Sequence, residues 1–183
     1  MDIAEKMTVR DTIVNCARQH VLNRTPYQWG GGHHGPSWGL DCSGLILDCV
    51  RSAGIDPGFW NSTMMREKLP PIDTPKPGDV AVYLPHHVVM VESFDSSTGI
   101  ATIIGENGGG PSTTSLEIAL KQDARAKREP THLYRDGFAG FRSIGADDEF
   151  DAIRSSSSSA PWLLIAGAAT LVGLFVWSIK GNK

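Results

Sequence analysis

The sequence predicts an α+β domain, with helices first and an antiparallel sheet after them. Three observations point there. Two stretches before residue 54 repeat apolar residues at helical spacing. The chain after Pro77 changes to short runs rich in Val, Ile and Tyr, the texture of strands. The order is helices and then strands, rather than strict alternation of the two, which favours α+β over a parallel sheet.

Taken in order, residues 8–22 read as the first helix. Thr8 can cap it, and Asp11 sits near the positive end of its dipole. Val9, Ile13, Cys16, Ala17 and Val21 form one apolar stripe, so Cys16 reads as a core residue. A glycine-rich stretch, residues 30–39, leads into a second helix over residues 42–53. Leu45, Ile46, Cys49, Val50 and Ala53 share one face there, and Gly54 closes the helix. Cys49 therefore also reads as core. Residues 80–84, 87–94 and 100–104 read as strands, with Ser96-Ser97-Thr98-Gly99 as a turn between two of them. Residues 114–128 read as a helix and residues 138–144 as a last strand.

A chain of 183 residues suits one domain with some length to spare. The globular domain is expected over residues 1–145. Residues 146–160 are acidic and then serine-rich, too polar to bury a core, and read as a linker. Residues 161–180 are expected to form a transmembrane helix, followed by a short tail, 181–183. Within it, the 18 residues 162–179 contain no charge. As a helix they would span about 27 Å, close to the roughly 30 Å hydrocarbon core of a bilayer. Pro161 suits the helix start, Trp162 and Trp177 the two interfaces, and Lys180 and Lys183 the flank. The expected location is therefore a membrane, with a single C-terminal anchor in the lipid.

The totals exclude some classes. A net charge of −3 gives no basic face for nucleic acid. Three cysteines make no disulfide framework, and no CxxC pair suggests a cysteine-type zinc site. The first six residues carry two acids and no apolar run after them, unlike a secretory signal.

Cys42 differs from the other two cysteines. It follows Asp41, precedes Ser43-Gly44, and begins a helix after a glycine-rich loop. The helix dipole and nearby backbone N–H groups favour a thiolate there, and the same N–H groups could hold an oxyanion. Two readings fit, a nucleophile or a buried first-turn cysteine. A nucleophile needs a base. Among six histidines, His87 is best placed, because it opens an apolar strand after a Pro-containing turn. A third polar group should then orient the imidazole from a neighbouring strand. Glu106 and Asn107, at the end of the next strand, are both candidates, and strand alternation allows only one of them to reach it.

These residues resemble a known family. Tyr27-Gln28-Trp29-Gly30-Gly31, Leu40-Asp41-Cys42-Ser43-Gly44-Leu45, Pro77-Gly78-Asp79-Val80 and His87-Val88 are similar, in order and spacing, to the NlpC-type cysteine peptidases, which are related to the CHAP amidases. The resemblance covers residues 8–145. It implies a papain-like fold, Cys42 as nucleophile, His87 as base, and no metal or organic cofactor. Tyr27 would line the site and help hold the oxyanion; Trp29, Asp41 and Ser43 are the other implied substrate-binding residues. The implied substrate is bacterial peptidoglycan, cut at an amide bond of its peptide part. The sequence departs from the NlpC pattern at the third group, where a histidine is usual; Glu106-Asn107 looks more like CHAP. The segment His33-His34-Gly35-Pro36-Ser37-Trp38 is a second departure and reads as a substrate-facing loop.

Three rivals remain at this level. His33, His34, His86, His87 and Asp41 could hold a metal, although no HExxH helix is present. The same Cys–His chemistry could serve a membrane-bound acyltransferase, or the module could bind wall without cutting it. A wall hydrolase with a C-terminal anchor fits a bacteriophage protein carried in a virion better than a secreted host enzyme.

Overall fold

The computed structural model describes residues 7–33, 37–132 and 136–145. The expected linker and membrane helix, residues 146–180, and the tail lie outside the described residues, as does His34. Among the described residues no helix is long and apolar enough to cross a membrane.

The described chain is α+β. Helix α1 spans Val9–Leu22, α2 Cys42–Ser52 and α3 Ser62–Lys68. Strands β1 (Pro71–Ile72), β2 (Val80–Tyr83), β3 (His87–Asp95) and β4 (Ile100–Asn107) follow, then helix α4 (Leu116–Lys121), β5 (Arg125–His132) and β6 (Phe138–Arg142). The six strands form one sheet in the order β1-β6-β2-β3-β4-β5, antiparallel at every pairing.

The first helix starts where a capping box permits. The Thr8 hydroxyl accepts from the Asp11 N–H, and the Asp11 carboxylate accepts from the Thr8 N–H, satisfying two donors that the helix start leaves open. Strand alternation then builds two cores. On the helix side, Val80, Val82, Val88, Met90 and Ile104 pack under Ile13, Ala17, Leu45, Ile46 and Cys49. On the other face, Ala81, Tyr83, Val89, Val91, Ile103 and Phe141 make a second cluster. Two buried carboxylates tie helix to sheet: Asp79 takes the Arg10 guanidinium at 2.9 Å, and Glu92 takes Arg18 and Arg128 at 2.6 and 2.5 Å.

The region expected as one helix over residues 114–128 divides. Helix α4 stops at Gln122, and the chain reverses through Asp123, whose φ of 48° lies in the left-handed region. Strand β5 then pairs with β4 from Asn107↔Arg125 to Ile100↔His132. Ala124, Ala126 and the basic residues around them are good helix formers, but the edge of β4 offers Ala126 a fully buried position. Tertiary pairing outweighs local propensity here. Helix α3, started by Asn61, whose side chain accepts from the Met64 N–H, is an addition to the expected elements.

Candidate active site

The start of α2 is held by one carboxylate. Asp41 is its N-cap, accepting from the Gly44 N–H at 2.7 Å and from the Ser43 hydroxyl at 2.9 Å. It also accepts from the Gly30 N–H at 3.1 Å, and its other side meets His33 Nε2 at 3.0 Å. These bonds hold the Asp41 carboxyl below the usual carboxylate range despite its burial, with His33 as the leading favourable partner. Gly44 is required for close approach: a Cβ on it would run into the Gly31 carbonyl oxygen. The glycine-rich loop therefore lies directly against the first turn of α2, and together they fix where Cys42 sits.

This assembly changes the roles expected for Asp41 and Ser43. Both are buried, and their polar atoms face each other, His33 and the loop backbone rather than an open cleft. They hold the cysteine's backbone in place. His33 was expected in a substrate-facing loop; instead it is buried on Asp41, with its ring 5.0 Å from that of Phe59. Its Nδ1 is buried with no hydrogen-bond partner among the described residues.

Cys42 is 8% exposed. Its Sγ lies 3.8 Å from the His86 carbonyl oxygen. Burial first, and then the Asp41 charge, push the thiol up to about 11, against the backbone N–H groups of Val88, Ser43 and Cys42 itself. The expected stabilisation by backbone N–H groups is thus present, but burial outweighs it, and the resting group is a thiol.

His87 occupies the same strand end. It lies between the two residues, His86 and Val88, whose backbones touch the thiol. It pairs with Tyr83 across β2 and β3, and the two rings are 6.4 Å apart. By strand alternation His87 shares the face of Tyr83, Val89 and Val91, opposite the helix-side core that includes Cys42. The contacts of the thiol with this strand end are to the backbone of His86 and Val88.

Alternation separates the two candidates for the third group. Glu106 pairs with Ala126, which belongs to the helix-side core, so Glu106 faces α1 and α2. It is 1% exposed, and neither carboxylate oxygen has a hydrogen-bond partner among the described residues. Burial pushes its carboxyl up to about 9; the charge of His20 opposes this and that of Asp41 adds to it. Asn107 points the other way. A Cβ on Gly105 would meet Val89 Cγ1 at 2.8 Å and Asn107 Oδ1 at 3.5 Å, which puts Asn107 on the face that carries His87. Its amide donates to Glu129 Oε1 at 3.3 Å.

Tyr27 is buried, with its N–H on the Ala124 carbonyl. Burial raises its phenol well above the ordinary value, and the charges of Cys42, Asp41 and Glu106 add to the effect. Its ring therefore lies within the field of all three. The chain after Asn107 crosses that ring so closely that a Cβ on Gly109 would overlap it. Trp29 is exposed, as is Trp38, and Gln28 joins their segments by accepting from the Trp38 and Gly39 N–H groups at 2.9 and 3.0 Å. The metal rival does not assemble from its described members: His33 and Asp41 face each other inside the loop, while His86 is on an exposed turn.

Residues 24–99 match the sequence profile of the NlpC/P60 family. The match includes Tyr27, Cys42 and His87 and ends before β4. No curated protein matches the chain. Among solved structures, the crystal structure of an NlpC/P60 family protein from Bacillus cereus ATCC 10987 is similar, with 21% identity and a TM-score of 0.49. That likeness covers 73% of this chain and 39% of that one, so the match spans well under half the length of that protein.

Proposed function

Residues 24–99 belong to the NlpC/P60 family, and from that premise we propose that the chain is a cysteine hydrolase of the cell wall, cutting an amide bond in the peptide part of peptidoglycan. The observation that carries the reading is the seating of the Cys42 thiol, in the first turn of α2, against the His86 carbonyl and Val88 N–H that flank His87. His87 is the base. Asn107 is its positioning residue, supported by the face the two share, and Tyr27 borders the place where charge develops.

The chemistry follows from a resting thiol. His87 takes the Sγ proton as the sulfur attacks the peptide carbonyl carbon. The backbone N–H groups at the start of α2 stabilise the oxygen that becomes negative. The imidazolium returns its proton to the leaving amine, and a thioester remains on Cys42. Water then gives a proton to His87 and its oxygen to the thioester carbon, which releases the acid and restores the thiol. No step calls on a metal or organic cofactor. A papain-like chain path around this Cys–His pair is part of the same proposal. So is a membrane anchor over residues 161–180, behind a linker over residues 146–160, supported by the uncharged 18-residue run.

The test is digestion of purified peptidoglycan, read by mass spectrometry of the released fragments. Cys42→Ala and His87→Ala should release nothing above background, while His86→Ala, which keeps the carbonyl beside the thiol, should retain turnover. Full digestion by Cys42→Ala would overturn the cysteine mechanism. Loss in His86→Ala with retention in His87→Ala would move the base by one residue.

A further inference from the structure

The cluster left unused by this chemistry lies farther along the same helix. Cys49 is seven residues after Cys42 on α2, about 10 Å along its axis. It meets Cys16 and His20, an i,i+4 pair on one face of α1. The three side chains offer two sulfurs and one imidazole nitrogen, all within 4.8 Å of one another. Cys16 is hydrogen-bonded to both Cys49 and His20.

We propose that Cys16, His20 and Cys49 form a site for a thiophilic divalent cation, with zinc as the ordinary occupant. In tetrahedral zinc sites the metal–ligand lengths, about 2.3 Å to sulfur and 2.0–2.1 Å to nitrogen, put neighbouring donors roughly 3.5–3.8 Å apart. The observed spacing, up to 4.8 Å, must contract by about 1 Å to reach that. The donor set is soft, and two thiolates balance the charge of a dication. On binding, two sulfur–metal bonds and one nitrogen–metal bond form, and the protons shared by the two sulfurs and the imidazole pass to solvent, leaving two thiolates and a neutral ring as ligands.

Both ring nitrogens of His20 have partners, so a metal would displace one of these bonds and keep the other. One ring nitrogen of His20 sits 2.9 Å from Asp48 Oδ2 and the other 3.0 Å from Thr25 Oγ1. A metal on either nitrogen leaves the other with its present partner, which fixes the ring orientation and tautomer. Access is open on that side. His20, Thr25 and Asp48 line a cleft of about 380 Å³, bordered by Leu40 and Arg51. Arg51 is committed to the Gly32 and Gly58 carbonyls. His20 is the member of the cluster that reaches this cleft, and three protein donors leave a fourth position for water or for the Asp48 carboxylate.

Cobalt(II) is the probe. Added to the reduced full-length chain, it should give a sulfur-to-cobalt charge-transfer band and the intense visible bands of tetrahedral coordination, saturating at one ion per chain. Zinc should bleach both. Cys16→Ser and Cys49→Ser should each lose the charge-transfer band at least in part, and the double variant should lose it entirely; Cys42→Ser should keep it whole. Because Cys49 is buried and its variant could unfold, zinc is also scored by melting temperature. Wild type and Cys42→Ser should melt higher with zinc and return to the original value with chelator, whereas Cys16→Ser should not respond. No band on the reduced wild type, a band that survives the double variant, or one lost in Cys42→Ser would each overturn the site.

Discussion

Glu106 is a carboxyl sealed inside the helix-side core with no hydrogen-bond donor to it among the described residues, so its cost to the fold should depend on pH. Its folded value, pushed up to about 9, stands above an ordinary 4.5. Between those values the folded chain keeps a proton that the unfolded chain has released. More protons bound in the folded state means that stability falls as pH rises. The favourable side of this linkage is complete below 4.5 and is lost as pH climbs toward the folded value. The slope is about 1.4 kcal/mol per pH unit, so from about pH 5 to about pH 8 the loss approaches 4 kcal/mol. Glu106→Gln removes the titration and keeps the shape. The titratable neighbours, Asp41, His20, Tyr27 and Cys42, stay in both proteins, so their own titrations largely cancel in the difference. The assay is urea unfolding of both full-length chains across that range. Wild type should match or exceed Glu106→Gln at the acid end and fall steadily behind it toward the alkaline end. A flat difference would refute the reasoning, because it would mean that Glu106 is ionised in the folded state or has found a partner.

Two further outcomes follow from the same geometry. Gly44→Ala drives a methyl into the Gly31 carbonyl oxygen, and overpacking of this kind costs about 1–3 kcal/mol; denaturant midpoints should fall, and wall digestion should fall with them because the loop and the Cys42 turn must separate. Unchanged activity at full stability would mean that the loop does not position the cysteine. For the anchor, the full-length chain should stay with membranes through a high-pH wash, and a chain ending at residue 145 should not; equal release of both into the wash would remove the proposal.

How far the sequence reaches depends on whether a feature is local. The Thr8 cap and the start of α2 at Cys42 are written in adjacent residues, and the sequence placed them where the structure has them, whereas Asp41, expected at the substrate, is the cap of α2. Strand alternation in β2 and β3 was legible for the same reason. Strand β5 was not, because Ala124 and Ala126 favour a helix until β4 supplies an edge to pair with. Cys16 and Cys49 each read as core residues, and nothing local announces that α2 brings Cys49 against Cys16 and His20. The same limit applied to Glu106 and Asn107. Adjacent strand residues must face opposite ways, so the sequence could say that one at most reaches His87. Deciding between them takes the β4–β5 register, where Ala126 carries Glu106 to the helix side and leaves Asn107 on the face of Val89. An amide there can fix the tautomer of an imidazole without adding charge, so it leaves His87 able to take the proton of a thiol held near 11. A charged Glu106 at the same place would instead stabilise the imidazolium and slow the return of that proton to the leaving amine. Asn107→Asp should therefore raise the acid-side limb of the pH–rate profile, whereas Asn107→Ala should lower turnover without moving it.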